Sequence, residues 1–183
     1  MRLFLPFLFV LTACQSEVAL LPQAEFSSKL VELCGQTFKG EVVSDDPEDA
    51  DWRQETLTLG PIDCSDIAVS LPLAVGEDKS RVWTIMPPSA HEDWIKLTHV
   101  HTLKDGLPDP VSGYGGKTLT EGTETRQEFP ADAYSKTLFR ENELDASVNN
   151  IWALEIKSGD LLAYELNRDG RHFRAEFDLT QPL

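Results

Sequence analysis

Apolar and polar residues alternate at every second position along most of the chain from Phe38 onward, which is the pattern of strands that bury one face. The pattern is clearest in the segment NNIWALEIKSGDLLAYELNRDGRHFRAEFDLT. Ser158-Gly159 and Asp169-Gly170 interrupt it with residues that favour tight hairpin turns. After the second turn, the apolar residues that share one face are Phe173, Ala175, Phe177 and Leu179. The segment therefore predicts three antiparallel strands with one face in a core and the other, which includes His172, toward solvent.

Five earlier segments repeat this alternation between residues 38 and 103. They read FKGEVV, ETLTLG, IAVSLPLAV, RVWTIM and WIKLTHVHTL. In the third, the residues expected to face inward are Ile67, Val69, Leu71, Leu73 and Val75. Pro72 lacks a backbone N–H, so we expect this segment to lie at a sheet edge or to carry a bulge. Residues 104–136 are richer in Gly, Pro and Thr and predict long loops with one or two weaker strands.

A helical period precedes the strands. In AEFSSKLVELCGQ, the residues Phe26, Leu30 and Leu33 recur at helical spacing, and Gly35 can end the helix. One helix followed by eight to ten short strands favours a mainly β domain over residues 25–183, folded as an antiparallel up-and-down β-barrel. A β-sandwich is the alternative, although closure into a barrel would also remove exposed sheet edges.

The order of these elements, with a Phe-x-Gly strand directly after the helix, resembles the lipocalin and nitrobindin-like barrels. The resemblance is one of architecture, since no Gly-x-Trp occurs near the first strand and a Phe stands near its place. The segments CGQTFKGEVV, GEDKSRVWTI, KLTHVHTLKDGLPDPVSGYGGKT, RQEFPADAYSKTLF and FRAEFDLTQP resemble a group of small exported proteobacterial proteins without an assigned activity. This second resemblance implies a single exported domain and no particular chemistry.

The first residues have the order of a secretory signal. Arg2 precedes an apolar run from Leu3 to Leu11, which is too short to span a bilayer. Leu11-Thr12-Ala13-Cys14 then resembles the lipobox of bacterial lipoproteins. This resemblance implies cleavage after residue 13 and attachment of acyl chains such as palmitate at Cys14. An ordinary signal peptide that happens to carry a Cys near its end is the alternative.

The lipobox also implies a location. Residues 1–13 would be a signal peptide, and residues 14–24 would tether the barrel to the lipid. Lipoproteins held in the inner membrane usually carry Asp after the Cys, whereas this chain has Gln15, so the resemblance implies an outer-membrane lipoprotein that faces the periplasm. In that oxidising compartment we expect Cys34 and Cys64 to form a disulfide, with two buried free thiols as the alternative.

The charge balance limits the partners of the protein. The sequence has 31 Asp and Glu against 16 Lys and Arg, a formal net charge of −15 at pH 7. Such a surface repels nucleic acids and anionic lipids, and it attracts cations or a basic protein. The densest acidic run, SDDPEDAD, contains Pro47 and lacks the central Gly of an EF-hand. We therefore expect a solvated turn between the first two strands there rather than a calcium site.

Candidate chemistry is concentrated in WIKLTHVHTLKDGLPD and in the SGYGG that follows it. Alternation puts His99 and His101 about 7 Å apart on the inward face of one strand. Two histidines from one strand often supply two of the ligands of a divalent-metal site, and Asp105 or Asp109 could add oxygen ligands. Tyr114 could cap the same mouth of the barrel. The plainer interpretation is that both histidines lie near a sheet end, hydrogen-bonded to loop carboxylates or water.

Three functions fit these features. The first is a lipid-anchored, monomeric envelope barrel that binds a small apolar ligand or a divalent metal at its mouth. The second is an acidic interaction module that resembles the lysozyme inhibitors and binds a basic protein. The third is a metal-dependent hydrolase built on His99 and His101, although the chain has no Gly-x-Ser-x-Gly, P-loop or Rossmann motif. We rank ligand binding first and hydrolysis last.

Overall fold

The computed structural model describes residues 21–89 and 92–183. The predicted signal peptide (residues 1–13), Cys14 and most of the predicted tether lie outside these ranges. In the described part of the chain, the α-helices are Pro22–Val31 (α1) and Ala133–Glu141 (α2). The strands are β1 Phe38–Val42, β2 Leu57–Leu59, β3 Asp63–Cys64, β4 Val69–Val75, β5 Asp78–Met86, β6 Lys96–His101, β7 Tyr114–Lys117, β8 Arg126–Pro130, β9 Ile151–Lys157, β10 Leu161–Arg168 and β11 Arg171–Asp178.

The strands form one antiparallel sheet that is nearly closed into a barrel. Along it the order is β7-β6-β5-β4-β2-β1-β11-β10-β9-β8, while the short β3 pairs separately with β4. Apart from β3, neighbours in the sheet are neighbours in the sequence, except where β1 pairs with β11 and joins the first strands to the last. The predicted up-and-down barrel is therefore confirmed, and the chain does not adopt the alternative sandwich.

Glycines allow β7 and β8, the two ends of the strand path, to approach each other. Gly116 forms an isolated bridge to Ala131, and a Cβ on it would lie 1.9 Å from the Pro130 carbonyl oxygen. Next to it, the Gly115 N–H donates to the Ser135 hydroxyl of α2 at 2.7 Å. The backbones of β7 and β8 therefore lie close together, and α2 packs beside them. In an open sheet, the edges of these two strands would be exposed.

Helix α1 covers one end of the barrel, which we call the closed end. Phe26 and Leu30 are fully buried there, and the Gln23 side-chain amide donates to the Thr120 carbonyl oxygen in the β7–β8 loop at 3.2 Å. The helix begins at Pro22, within the segment predicted as tether, and proline is well suited to the first helical turn. Phe26 and Leu30 on the helix, and Leu33 just after its end, are buried as the sequence predicts.

The opposite end of the barrel, which we call the mouth, is formed by five connections. The strand register brings together residues 43–56, 76–77, 102–113, 131–150 and 169–170. The first of these contains the 3-10 helices Pro47–Asp49 and Trp52–Gln54, and the fourth contains α2 and the 3-10 helix Asp145–Asn149. The two ends of the barrel are therefore built differently, because one is covered by α1 and the other is rimmed by loops.

Two local predictions are confirmed and one is wrong. One or two weaker strands were expected within residues 104–136, and two form there, β7 and β8. The irregularity that Pro72 predicts is a register shift between Leu73 and Val75. The prediction that Ile67 faces inward is wrong, because β4 begins only at Val69 and the Ile67 side chain lies in the turn before it, 72% exposed.

Helix α2 has no counterpart in the sequence prediction. It begins where Asp132 accepts the Ser135 N–H at 2.8 Å, an N-terminal cap that satisfies a backbone donor of the first turn. Its buried residues, Ser135 and Phe139, occupy one face four positions apart. Only one apolar side chain on that face is buried, which is too few for a helical period to be visible in the sequence.

Ion pairs link neighbouring strands on the outer face of the last four strands. Arg174 contacts the carboxylates of Glu155, Glu165 and Glu176, and Arg126 contacts Glu165 at 2.7 Å. Burial acts to raise the pKa of the Glu165 carboxyl, but the hydrogen bonds from both arginines and a neighbouring asparagine outweigh it and lower that pKa to about 2. Glu165 therefore stays ionised at neutral pH and links β8, β10 and β11.

The predicted disulfide between Cys34 and Cys64 forms, with the two Cα atoms 5.8 Å apart. It joins the segment after α1 to β3 at the closed end. Replacing both cysteines by serine is expected to lower the free energy of unfolding by about 3–4 kcal/mol, because a bridge across a separation of 30 residues restricts the unfolded chain. Urea unfolding of the oxidised protein, the reduced protein and the double variant measures the loss.

The reduced protein and the Cys34→Ser/Cys64→Ser variant should unfold at the same urea concentration, below that of the oxidised protein. A common midpoint for all three forms would contradict the stabilising role of the disulfide.

Candidate functional site

A cavity of about 390 Å³ opens at the mouth of the barrel. Aromatic rings share its walls with charged and hydrogen-bonding groups. The main lining residues are Trp52, Arg81, Trp83, His99, His101, Tyr114, Tyr164, Arg171 and Phe173. A cavity of this size is large enough for a small organic molecule, which its aromatic rings could contact and its polar groups could orient.

Three strands supply inward residues that change from apolar to polar toward the mouth. From the closed end, β5 presents Ile85, Trp83 and Arg81, β6 presents Leu97, His99 and His101, and β10 presents Leu162, Tyr164, Leu166 and Arg168. The register places Trp83 opposite His99 and Arg81 opposite His101. Because alternate residues of a strand face the same way, these three series bring their polar groups together at the mouth.

His99 lies in the middle of the barrel and is only 2% exposed. Its Nδ1 lies 3.3 Å from the Tyr114 carbonyl oxygen, which can only accept, so Nδ1 carries the proton. Nε2 then accepts the Tyr164 hydroxyl at 2.8 Å. Burial lowers the pKa of His99 to about 3, against the raising effect of the Tyr114 carbonyl, and the nearby His101 lowers it further. His99 is therefore a neutral, fully hydrogen-bonded part of the interior.

Stacked rings surround this imidazole. Tyr114 stacks on His99 with ring centroids 4.7 Å apart, and Trp83 stacks on Tyr164 at 4.0 Å. Above them, the Tyr114 hydroxyl lies 3.3 Å from His101 Nε2. Burial lowers the pKa of His101, and it raises the pKa of Tyr114 to about 12. At neutral pH this layer therefore offers hydrogen-bonding groups without a phenolate.

The two predicted aspartates support the loop between β6 and β7. Asp105 accepts the Leu107 N–H at 3.1 Å, and Asp109 accepts the Val111 N–H at 2.7 Å. Asp105 is exposed, so of the predicted site residues the structure brings His99, His101 and Tyr114 together, with Asp109 nearby on the wall of a second cavity. Over residues 21–89 and 92–183, no group of three or more His, Cys, Asp and Glu side chains could hold a metal ion.

Two arginines at the rim of the larger cavity have carboxylate partners. Arg81 pairs with Asp78 and lies over the Trp52 ring, 5.1 Å from its centroid. Arg171 pairs with three carboxylates of the acidic run, which belong to Asp46, Glu48 and Asp49. The run does lie between the first two strands, as expected. Ion pairs as well as solvent surround its carboxylates, however, and Asp49 is buried.

A second cavity of about 330 Å³ adjoins the first. The two have His101, Tyr114, Tyr164 and Leu166 in common, so these side chains form the boundary between them. The remaining lining residues are Asp109, Val111, Phe139, Leu144, Ser147, Asn150, Trp152 and Arg168. Helix α2 and the 3-10 helix Asp145–Asn149 therefore contribute to the outer wall of this smaller cavity.

The sequence identifies part of this lining and misses the rest. Arg81 and Arg168 continue inward-facing series at their mouth ends, so the same alternation that finds His101 could have found them. Trp52 and Phe139 reach the cavities from a loop and from α2, and strand alternation gives no signal for either. Tyr164 lies within a segment that was predicted as a strand, but its contact with His99 spans 65 residues of sequence.

His99 is expected to make the stability of the protein depend on pH. Since burial lowers its pKa from 6.5 to about 3, the unfolded chain binds this proton more readily than the native protein between those values. The contribution of neutral His99 to the free energy of unfolding is complete well above pH 6.5. It decreases as the pH falls, by about 2 kcal/mol between pH 8 and pH 5. Urea unfolding at these two pH values measures it.

The matched variants are His99→Gln, which removes the buried imidazole, and His172→Gln, which removes an exposed one. Only His99→Gln should lose this part of the pH dependence. Equal pH-dependent losses in the wild-type protein and both variants would contradict the buried neutral state of His99.

Comparison with known proteins assigns no family to this chain. It matches no protein-family model, no curated protein and no solved structure. The chemistry of the mouth is therefore inferred from the side chains that line it.

Proposed function

We propose that the barrel binds a small organic molecule in the cavity at its mouth. The observation that supports this most directly is the 390 Å³ cavity, in which aromatic rings and hydrogen-bonding groups share the walls. Stacked aromatic side chains give such a ligand apolar contact area, and a few fixed polar groups can orient it. His101, Tyr114 and Arg81 are polar groups of the lining that can serve this purpose.

An organic ligand fits the two histidines better than a divalent metal does. A metal site on His99 and His101 needs an unprotonated ring nitrogen from each and a third ligand beside them. His99 donates from Nδ1 to a carbonyl and accepts a tyrosine hydroxyl at Nε2. His101 Nε2 lies beside another tyrosine hydroxyl. Both rings therefore have hydrogen-bond partners that a metal would have to displace, so the metal-dependent hydrolase is the weakest of the three candidates.

The acidic interaction module remains the second candidate because the net charge of −15 favours a basic partner. The densest acidic run supports it less than its sequence implies. Arg171 already pairs with three of its carboxylates, and Asp49 is buried. Part of the charge in that run is therefore neutralised within the protein, which favours the cavity as the functional feature.

We also propose that the protein is attached to the cell envelope through lipid on Cys14. The lipobox resemblance supports this, and the Cys34–Cys64 disulfide is compatible with an oxidising compartment. In the described ranges, no helix is both long and apolar enough to cross a membrane. Attachment in this proposal depends on acyl chains, and several at one site anchor a protein stably whereas a single one does so marginally.

The cavity is tested with N-phenyl-1-naphthylamine, a neutral probe whose fluorescence rises in apolar surroundings. The wild-type protein should enhance its fluorescence saturably. Leu166→Trp should weaken binding by about tenfold or more, because Leu166 lines both cavities and the larger ring would fill space at their boundary. The matched control is Leu119→Trp, which adds the same ring to a side chain that is 79% exposed in the β7–β8 loop.

The wild-type protein and Leu119→Trp should bind the probe with equal affinity, and both should bind it well above the affinity of Leu166→Trp. The circular dichroism spectra of the three proteins should be nearly identical. If Leu166→Trp binds the probe as tightly as the wild-type protein does, the cavity is not the binding site. If the wild-type protein does not bind the probe, the cavity does not accept a neutral apolar ligand.

Lipid attachment is tested by growing expressing cells with labelled palmitate. The wild-type chain should carry the label and Cys14→Ser should not, because only the thiol of that cysteine accepts diacylglycerol in the lipobox reaction. A Cys14→Ser protein that is labelled as strongly as the wild type, or a wild type without label, would contradict the anchor.

A further inference from the structure

Three arginines line the two cavities, and one of them differs from the others. Arg81 pairs with Asp78, and Arg171 pairs with three carboxylates. Arg168 lines the smaller cavity and, within residues 21–89 and 92–183, has no ion pair with any carboxylate. In a chain with 31 acidic residues against 16 basic ones, a cavity-lining arginine without a carboxylate partner needs an explanation.

Arg168 has unused hydrogen-bonding capacity. Its Nη1 donates to the Asn150 side-chain oxygen at 3.0 Å, which is a neutral partner. A guanidinium has five N–H donors and stays charged at any physiological pH. The side chain is partly buried, and it follows Tyr164 and Leu166 on the inward face of β10. A fixed positive charge with free donors therefore lies at the end of an inward-facing apolar series.

Five apolar side chains line the smaller cavity together with Arg168, alongside hydrogen-bonding groups such as Ser147 and Asn150. Val111, Phe139, Leu144, Trp152 and Leu166 line the same cavity. Its one acidic lining residue, Asp109, is already hydrogen-bonded to the Val111 N–H at 2.7 Å. Pairing of a guanidinium with a planar carboxylate is bidentate and is stronger than a neutral hydrogen bond, particularly where water is partly excluded.

We propose that the smaller cavity binds the carboxylate of an amphiphilic monocarboxylic acid on Arg168. The apolar body of the acid lies against Phe139, Trp152 and Leu166 and extends toward the larger cavity. This proposal rests on the proposed function, since it names the class of ligand for the same mouth. It also accounts for binding of an anion by an acidic protein, because recognition depends on one local charge rather than on the overall field.

The test compares decanoate with 1-decanol, which have the same ten-carbon length and differ in the charged head. Each displaces N-phenyl-1-naphthylamine from the protein at pH 7.5, below the concentration at which it forms micelles. The wild-type protein should bind decanoate about tenfold more tightly than decanol. Arg168→Gln should lose that preference by weakening decanoate about tenfold while decanol binding is unchanged.

Two further variants keep the test specific. Arg140→Gln removes the same charge from an exposed position of α2 and should behave as the wild type. Arg168→Lys keeps the charge without the planar fork, so its decanoate affinity should lie between those of the wild type and Arg168→Gln. If Arg168→Gln does not fold, the decanoate affinity of Arg168→Lys tests the carboxylate site in its place.

The outcomes separate the two proposals. Equal binding of decanoate and decanol by the wild type, or equal weakening of both by Arg168→Gln, overturns the carboxylate site while probe binding still supports the cavity. If the probe itself does not bind, decanoate is measured directly by its effect on the unfolding midpoint. A midpoint shift that Arg168→Gln abolishes then supports the carboxylate site, and no shift overturns it together with the proposed function.

Discussion

In a closed sheet every second side chain of every strand faces one shared interior, so the order of the inward residues decides what that interior can hold. Here β5, β6 and β10 all carry apolar inward residues near α1 and polar ones near the mouth. The closed end is filled by its own side chains, among them Phe38, Leu57, Leu59 and Phe177, all fully buried. The cavities occur where the polar residues interrupt this packing.

His99 stands at the boundary between the packed half and the open half. Its ring connects β6 to β10 across the barrel through the Tyr164 hydroxyl, and it connects to β7 through the Tyr114 carbonyl. A buried imidazole is tolerated because both of its nitrogens are satisfied and because it remains neutral. The same arrangement fixes the rings of Tyr114 and Tyr164 beneath the cavity. We infer that His99 positions the walls of the site rather than binding a metal.

The period of the inward residues made the barrel predictable, and the same period made His99 and His101 predictable as inward-facing. What the sequence could not provide was the partner of each side chain. Tyr164 meets His99 only because the sheet closes, and Trp52 reaches the mouth from a loop whose shape is set by ion pairs to Arg171. Helix α2 was missed because its single buried apolar residue, Phe139, leaves no helical period. The role of the histidines therefore depended on closure, which sequence spacing does not describe.

We propose that the open half of the barrel holds a small organic molecule. Native mass spectrometry of residues 15–183, which lack the predicted signal peptide and the lipid-modified Cys14 and can be purified without detergent or denaturant, detects a bound molecule without requiring that its identity be known. We expect a mass in excess of the covalent chain that disappears on unfolding and is absent from Leu166→Trp. Repeated preparations that show only the mass of the covalent chain, before and after unfolding, would contradict it.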